Sequence, residues 1–140
     1  VKLTPADKHF GKCIKERVNW TCERCGKHYP DGGQGLHCSH FFGRVKQSVR
    51  YEPLNAYAHC HGCHSHFSQY PYEFDKWVQK KLGSSYDILV EKAYDIPLGK
   101  EIARTKGKGE ISKHFKSEFE RMQKLRADGE RGRIEFVGWL

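Results

Sequence analysis

Apolar positions recur along the chain with two different periods. Over residues 4–19, Phe10, Cys13, Ile14 and Arg17 fall on one face at helical spacing. Thr4 supplies an N-cap there, Pro5 the first helical position and Asp7 the third, close to a capping box. Residues 20–35 read as a loop, with turn chemistry at Pro30-Asp-Gly-Gly33 and Gly35. Residues 36–42 (Leu-His-Cys-Ser-His-Phe-Phe) and 55–59 (Asn-Ala-Tyr-Ala-His) predict two short strands, joined by a polar, basic loop over 43–53 that Pro53 closes. A short helix is predicted to begin at Cys60-His-Gly-Cys63 and to carry His64 and His66. From Pro71 to Leu82, Phe74, Trp77, Val78, Lys81 and Leu82 share a helical face, and Gly83 is a natural stop. A helix over 85–94 turns Tyr86, Leu89, Val90 and Ala93 inward, and Asp95-Ile-Pro-Leu-Gly99 breaks it. Residues 104–109 predict a flexible basic linker. Residues 110–127 predict a helix with Ile111, Phe115, Met122 and Leu125 on one side, and 132–139 alternate like a strand.

Composition limits what these elements can build. A chain of 140 residues forms one compact domain, or a small domain with appendages. It is 37% apolar and 30% charged, with mean hydropathy −0.81. A chain of this size buries only about two-thirds of its unfolded surface, so an external staple is expected rather than a large core. No window approaches about 18 consecutive apolar residues, which excludes a membrane-spanning helix. Residues 1–10 hold no apolar stretch of the kind a secretory leader has, so none is expected. Lys and Arg number 25 against 17 acids, a net charge of +8. That excess points to a polyanion, nucleic acid before membrane.

Cysteine and histidine supply the candidate chemistry. Cys22/Cys25 and Cys60/Cys63 form two C-x-x-C pairs, the first followed by Gly26. Each tight turn lets two thiolates point at one tetrahedral ion, so together they predict a structural zinc site. A disulfide framework would need an oxidising compartment, and a redox pair a thioredoxin-like context. Cys13 and Cys38 read as small buried thiols. Six of the nine histidines, at 37, 40, 59, 61, 64 and 66, lie in or beside the gap between the knuckles. Histidine is both a general base near neutral pH and a ligand for divalent metals.

Strand, Ser39-His40, basic loop, Asn55, strand, Cys60-x-x-Cys63 and His64 opening a helix together resemble the HNH endonuclease superfamily, the ββα-metal nucleases, in a form braced by two knuckles. The resemblance covers about residues 20–70. The order is most similar to the NinG (Rap) recombination nucleases of lambdoid phages: a C-x-x-C-G knuckle, His40-Phe41, Tyr51-Glu52 ahead of Asn55, and Cys60-x-x-Cys63-His64-x-His66. His64 stands where that family has Asn.

The resemblance implies an α+β fold: a small zinc-braced ββα-metal core at 20–70, an N-terminal helix at 1–19, and a helical, basic extension at 71–140. It implies a metal-dependent DNA endonuclease. His40 would be the general base, Asn55 would hold it in place, and His64 would bind a catalytic Mg2+ or Mn2+. Many HNH enzymes carry Asp before the first His. Here that place is Ser39, which leaves the second metal ligand to His66, His37 or His59. Arg44, Lys46 and Arg50 are expected to contact phosphate. Branched recombination intermediates would be the substrate, in the cytoplasm of a bacterial host. The rival expectations are a non-catalytic zinc-dependent nucleic-acid-binding module, or a restriction, homing or packaging nuclease.

Overall fold

The computed structural model describes residues 1–30, 34–105, 107 and 109–140. The turn expected at Asp31-Gly-Gly33, and Lys106 and Lys108 of the expected linker, lie outside the described residues. Among those described are six α-helices and one two-stranded antiparallel sheet, an α+β arrangement. None of these helices is long and apolar enough to cross a membrane.

Helix α1 (Pro5–Arg17) begins as the sequence predicts. The Asp7 N–H donates to Thr4 Oγ1 at 3.3 Å and the Thr4 N–H donates to the Asp7 carboxylate at 2.8 Å, a reciprocal capping box. Its apolar face buries Ala6, Phe10, Cys13 and Ile14. Strand β1 (Leu36–His40) pairs with β2 (Ala56–Cys60), Leu36 opposite Cys60 and His40 opposite Ala56. Both strands differ slightly from expectation. Phe41 and Phe42 fall in a turn after β1, and Asn55 ends a 3-10 turn (Pro53–Asn55) before β2. Helix α2 (His61–Gln69) follows β2 without a loop. Its N-cap is Cys60, whose Sγ accepts from the Cys63 N–H at 3.4 Å.

Helices α3 (Pro71–Leu82) and α4 (Ser85–Ala93) match the predicted periodicity. Helix α4 does end ahead of Asp95-Ile-Pro-Leu-Gly99, as expected, but the segment also opens a new helix, α5 (Ile96–Thr105). Asp95 Oδ1 accepts from the Leu98 N–H at 3.0 Å, an N-cap contact. Pro97 stands in the first turn, where a missing N–H costs nothing. Helix α6 (Glu110–Ala127) buries Ile111, Phe115 and Met122, but Leu125 is exposed.

Residues 132–140 form no strand. The alternation is real, since Ile134 and Phe136 are buried, but it reflects packing onto other elements. The backbone bonds go elsewhere: Ile134 N–H to Arg17 O at 3.1 Å and Val137 N–H to Glu118 Oε1 at 2.7 Å. The segment crosses Pro53 so closely that a Cβ at Gly138 would stand 2.6 Å from the Pro53 ring.

Phe10, Ile14, Leu36, Tyr51, Ala58, Ile102, Phe115, Met122 and Phe136 share one core. The N-terminal helix, the hairpin and the C-terminal helices therefore close a single hydrophobic interior, with Phe10 and Phe115 edge to face at 5.1 Å. A smaller cluster of Tyr57, Phe67, Phe74 and Val78 lies under α2 and α3.

Candidate functional site

The two knuckles meet. The four Sγ atoms of Cys22, Cys25, Cys60 and Cys63 lie within 4.8 Å of one another, and Cys25 Sγ is 3.8 Å from Cys60 Sγ. A tetrahedral ion with Zn–S bonds of about 2.3 Å needs sulfur–sulfur edges of about 3.8 Å, whereas a disulfide needs about 2.05 Å. All six cysteines are free thiols. The sulfurs thus fit one zinc ion, and the donor chemistry is that of a structural site.

Local chemistry builds this cluster. Gly26 adopts φ +80°, which lets its N–H reach Cys22 O at 2.9 Å and tightens the first knuckle. Glu23, between the first two ligands, clamps the knuckle to β2. Its N–H donates to Ala58 O and its carboxylate accepts from the Ala58 N–H, both at 2.8 Å. The Arg24 guanidinium approaches Cys63 Sγ at 3.5 Å, a positive charge beside the thiolates.

His40 ends β1 on the face turned to α1, with its ring 5.7 Å from that of Phe10. Its Nε2 lies 3.3 Å from Arg50 O. A carbonyl can only accept, so Nε2 carries the proton and the lone pair stands on Nδ1. Burial pushes His40 down to about 4, against the Arg50 carbonyl and Asp7, which pull it up. It is therefore neutral at pH 7.

The linkage has a definite sign. Above the ordinary value of 6.5 the ring is neutral folded and unfolded, so it adds no pH dependence. Between 6.5 and about 4 only the unfolded chain takes the proton, and stability falls as pH falls. Relative to His40→Gln, the wild type should lose up to about 3 kcal/mol across that window. Urea unfolding of both proteins at a series of pH values checks this, and equal slopes would contradict it.

Asn55 is fully buried and binds the turn after β1 from both ends of its amide. Oδ1 accepts from the Phe42 N–H at 2.8 Å; Nδ2 donates to Phe42 O at 2.8 Å and to Val49 O at 3.0 Å. Asn55 thus ties the turn after β1 to the loop that carries the Arg50 carbonyl, which Ser48 and Arg50 also anchor, through Ala93 O and Asp7.

His64 lies on the other face of the hairpin. Its Nδ1 is 3.2 Å from the hydroxyl of buried Ser39, and its ring stacks on His37 at 5.4 Å and 10°. His61 closes the group, 5.5 Å from His37. Since β1 residues alternate, His37 and Ser39 face α2 while Cys38 and His40 face α1. No hydrogen bond or ring contact joins His40 to His64 among the described residues.

The other metal-ligand candidates separate. His66 is two positions from His64 on α2, on another side of the helix, and meets Glu73 at 3.3 Å. His59 is fully buried among Phe67, Phe74 and Trp77, its ring 4.9 Å from the Trp77 ring. Of the three, only His37 stands against His64. Among the described residues, the four cysteines are the only cluster of three or more ligand-type groups close enough for one ion.

Arg50 is not available to phosphate. It is 1% exposed, and its guanidinium holds the Asp7 carboxylate through Nε at 2.9 Å and Nη2 at 2.6 Å. Despite its burial, Asp7 is held below the usual carboxylate range by Arg50 and Thr4. Arg50→Ala would strand that buried charge and should cost about 3–5 kcal/mol. A paired Asp7→Leu, Arg50→Met replacement should cost less than the two single changes summed, as denaturant unfolding can show. Arg44 is half-buried, its Nη1 3.6 Å from Asp7, and Lys46 lies 4.3 Å over the Tyr94 ring. Sequence reasoning had Asp7 only as a capping residue and missed Ser39 as a partner for His64. The strand parity of His37-Cys-Ser-His40 was the available clue to the second.

No family model matches the chain, and no curated protein or solved structure matches it.

Proposed function

We propose that the protein is a metal-dependent endonuclease of the HNH type that hydrolyses phosphodiester bonds in DNA. The observation that supports this reading most directly is the setting of His40. Its Nε2 is tethered to a loop carbonyl, Asn55 fixes that loop, and one lone pair remains on a neutral imidazole. A general base must offer such a lone pair to the water that attacks phosphorus. Asn55 is then a positioning residue. His64 is the metal-holding residue, oriented through Nδ1 by Ser39, which leaves Nε2 for a ligand. A divalent ion bound there would offset charge on the scissile phosphate and the leaving oxygen. The neighbours of His64 are imidazole and hydroxyl rather than carboxylate. Such donors suit a borderline transition ion better than Mg2+.

The likeness to NinG (Rap) narrows the substrate to branched recombination intermediates of a phage, and the location to a bacterial host's cytoplasm. The second reading is a zinc-braced nucleic-acid-binding module without catalysis. It is favoured by one observation: His40 faces α1, whereas His64 lies on the opposite face of β1. Incubation with plasmid, linear duplex, single-stranded and junction DNA, with Mg2+, Mn2+, Ni2+ or no added metal, separates the two. Metal-dependent cuts with 5′-phosphate and 3′-hydroxyl ends support the nuclease. Binding without cutting under every condition supports the module.

A further inference from the structure

A cavity of about 620 Å³ lies between α1 and β1, reaching from Leu3 and Pro5 to His64. Among the described residues the sheet has two strands, so one edge of β1 has no described strand beside it. The lining carries Lys8, His9, Lys12, Lys15, His37 and His64, and a single acid, Asp7. That acid is already bound by Arg50 and Thr4. Among the described residues none of the three lysines is ion-paired to a carboxylate. Lys12 and Lys15 only rest over Phe119 and Trp20, at 5.7 and 5.8 Å. His9 Nδ1 is buried with no hydrogen-bond partner. The wall is therefore cationic and hydrogen-bond-donating, with no acid left over to compensate it.

We propose that this cavity is the groove that seats the sugar–phosphate backbone of the DNA strand, held by Lys8, Lys12 and Lys15 of α1. The proposal rests on the nuclease reading and names residues that reading did not include. The spacing fits. Positions 8, 12 and 15 lie on one helical face, and seven residues at about 1.5 Å each span roughly 10 Å. A DNA strand carries about one charge per 3.4 Å of axis, so that span matches about three phosphates. His64 at the far wall places the bound backbone beside the metal-holding imidazole.

The test is binding of a fluorescein-labelled DNA duplex and its single strand to the zinc-loaded full chain, titrated with salt and without catalytic metal. Each phosphate contact adds about 0.9 to the slope of log affinity against log salt. Lys8→Ala/Lys12→Ala/Lys15→Ala should lower that slope by about two to three units, with the helical content unchanged by circular dichroism. A control triple, Lys80→Ala/Lys100→Ala/Lys124→Ala, should leave it near the wild-type value. An unchanged slope in the α1 triple, or an equal fall in the control, overturns the groove while leaving the nuclease reading standing. A wild type that binds neither probe overturns both.

Discussion

Cys60→Ser, or removal of zinc by a strong chelator, is expected to unfold the protein rather than merely weaken it. Structural zinc sites contribute about 10–16 kcal/mol of apparent binding energy in small peptides, while a domain's whole stability is about 5–15 kcal/mol. Cys60 has two further tasks: it closes β2 opposite Leu36 and caps α2. Its loss should therefore release the hairpin from α2 as well as open the knuckle. Metal analysis of the purified protein should give about one zinc per chain, and chelation should abolish the cooperative thermal transition. Two disulfides and no zinc, or a chelated protein with an unchanged melting curve, would remove the claim.

The second large effect concerns His40. Under the nuclease reading, His40→Ala should lower the cleavage rate by about 10²–10⁴, with zinc content, DNA affinity and circular dichroism near wild type. Asn55→Ala should also lower the rate, but it should destabilise the fold at the same time, because three hydrogen bonds of a fully buried amide are lost. His64→Ala should raise the concentration of divalent metal needed for half-maximal rate. A His40→Ala protein that cuts at the wild-type rate would end the assignment of that residue.

Local chemistry made the four-cysteine cluster, the hairpin and the capped start of α1 legible in the sequence. A C-x-x-C turn, a capping box and short strands around a polar loop all act over a few residues. Asn55 does bond this loop, through Phe42 and Val49. What escaped depends on distant partners. Arg50 looked like a phosphate contact because its neighbours are polar, yet its ion pair is with Asp7, 43 positions away. Helix α5 was hidden because Asp95 and Pro97 suit a helix start as well as they suit a break. The tail at 132–140 alternates without a partner strand, since Phe136 packs against Phe10 and Arg17 rather than beside another backbone.

The partnership of Phe10 with Phe115 has a consequence for synthesis. α1 packs most extensively against α6, so its apolar face, which the hairpin covers only in part, is not fully closed until the chain beyond residue 110 has been made. At about 5–20 residues per second, the interval between Phe10 and Phe115 lasts roughly 5–20 s. During that time the hairpin and knuckles can close on zinc, because all four cysteines are already present. With zinc bound, the nascent chain would thus carry a closed hairpin with α1 only half covered, part of its apolar face still open to chaperones or to other chains.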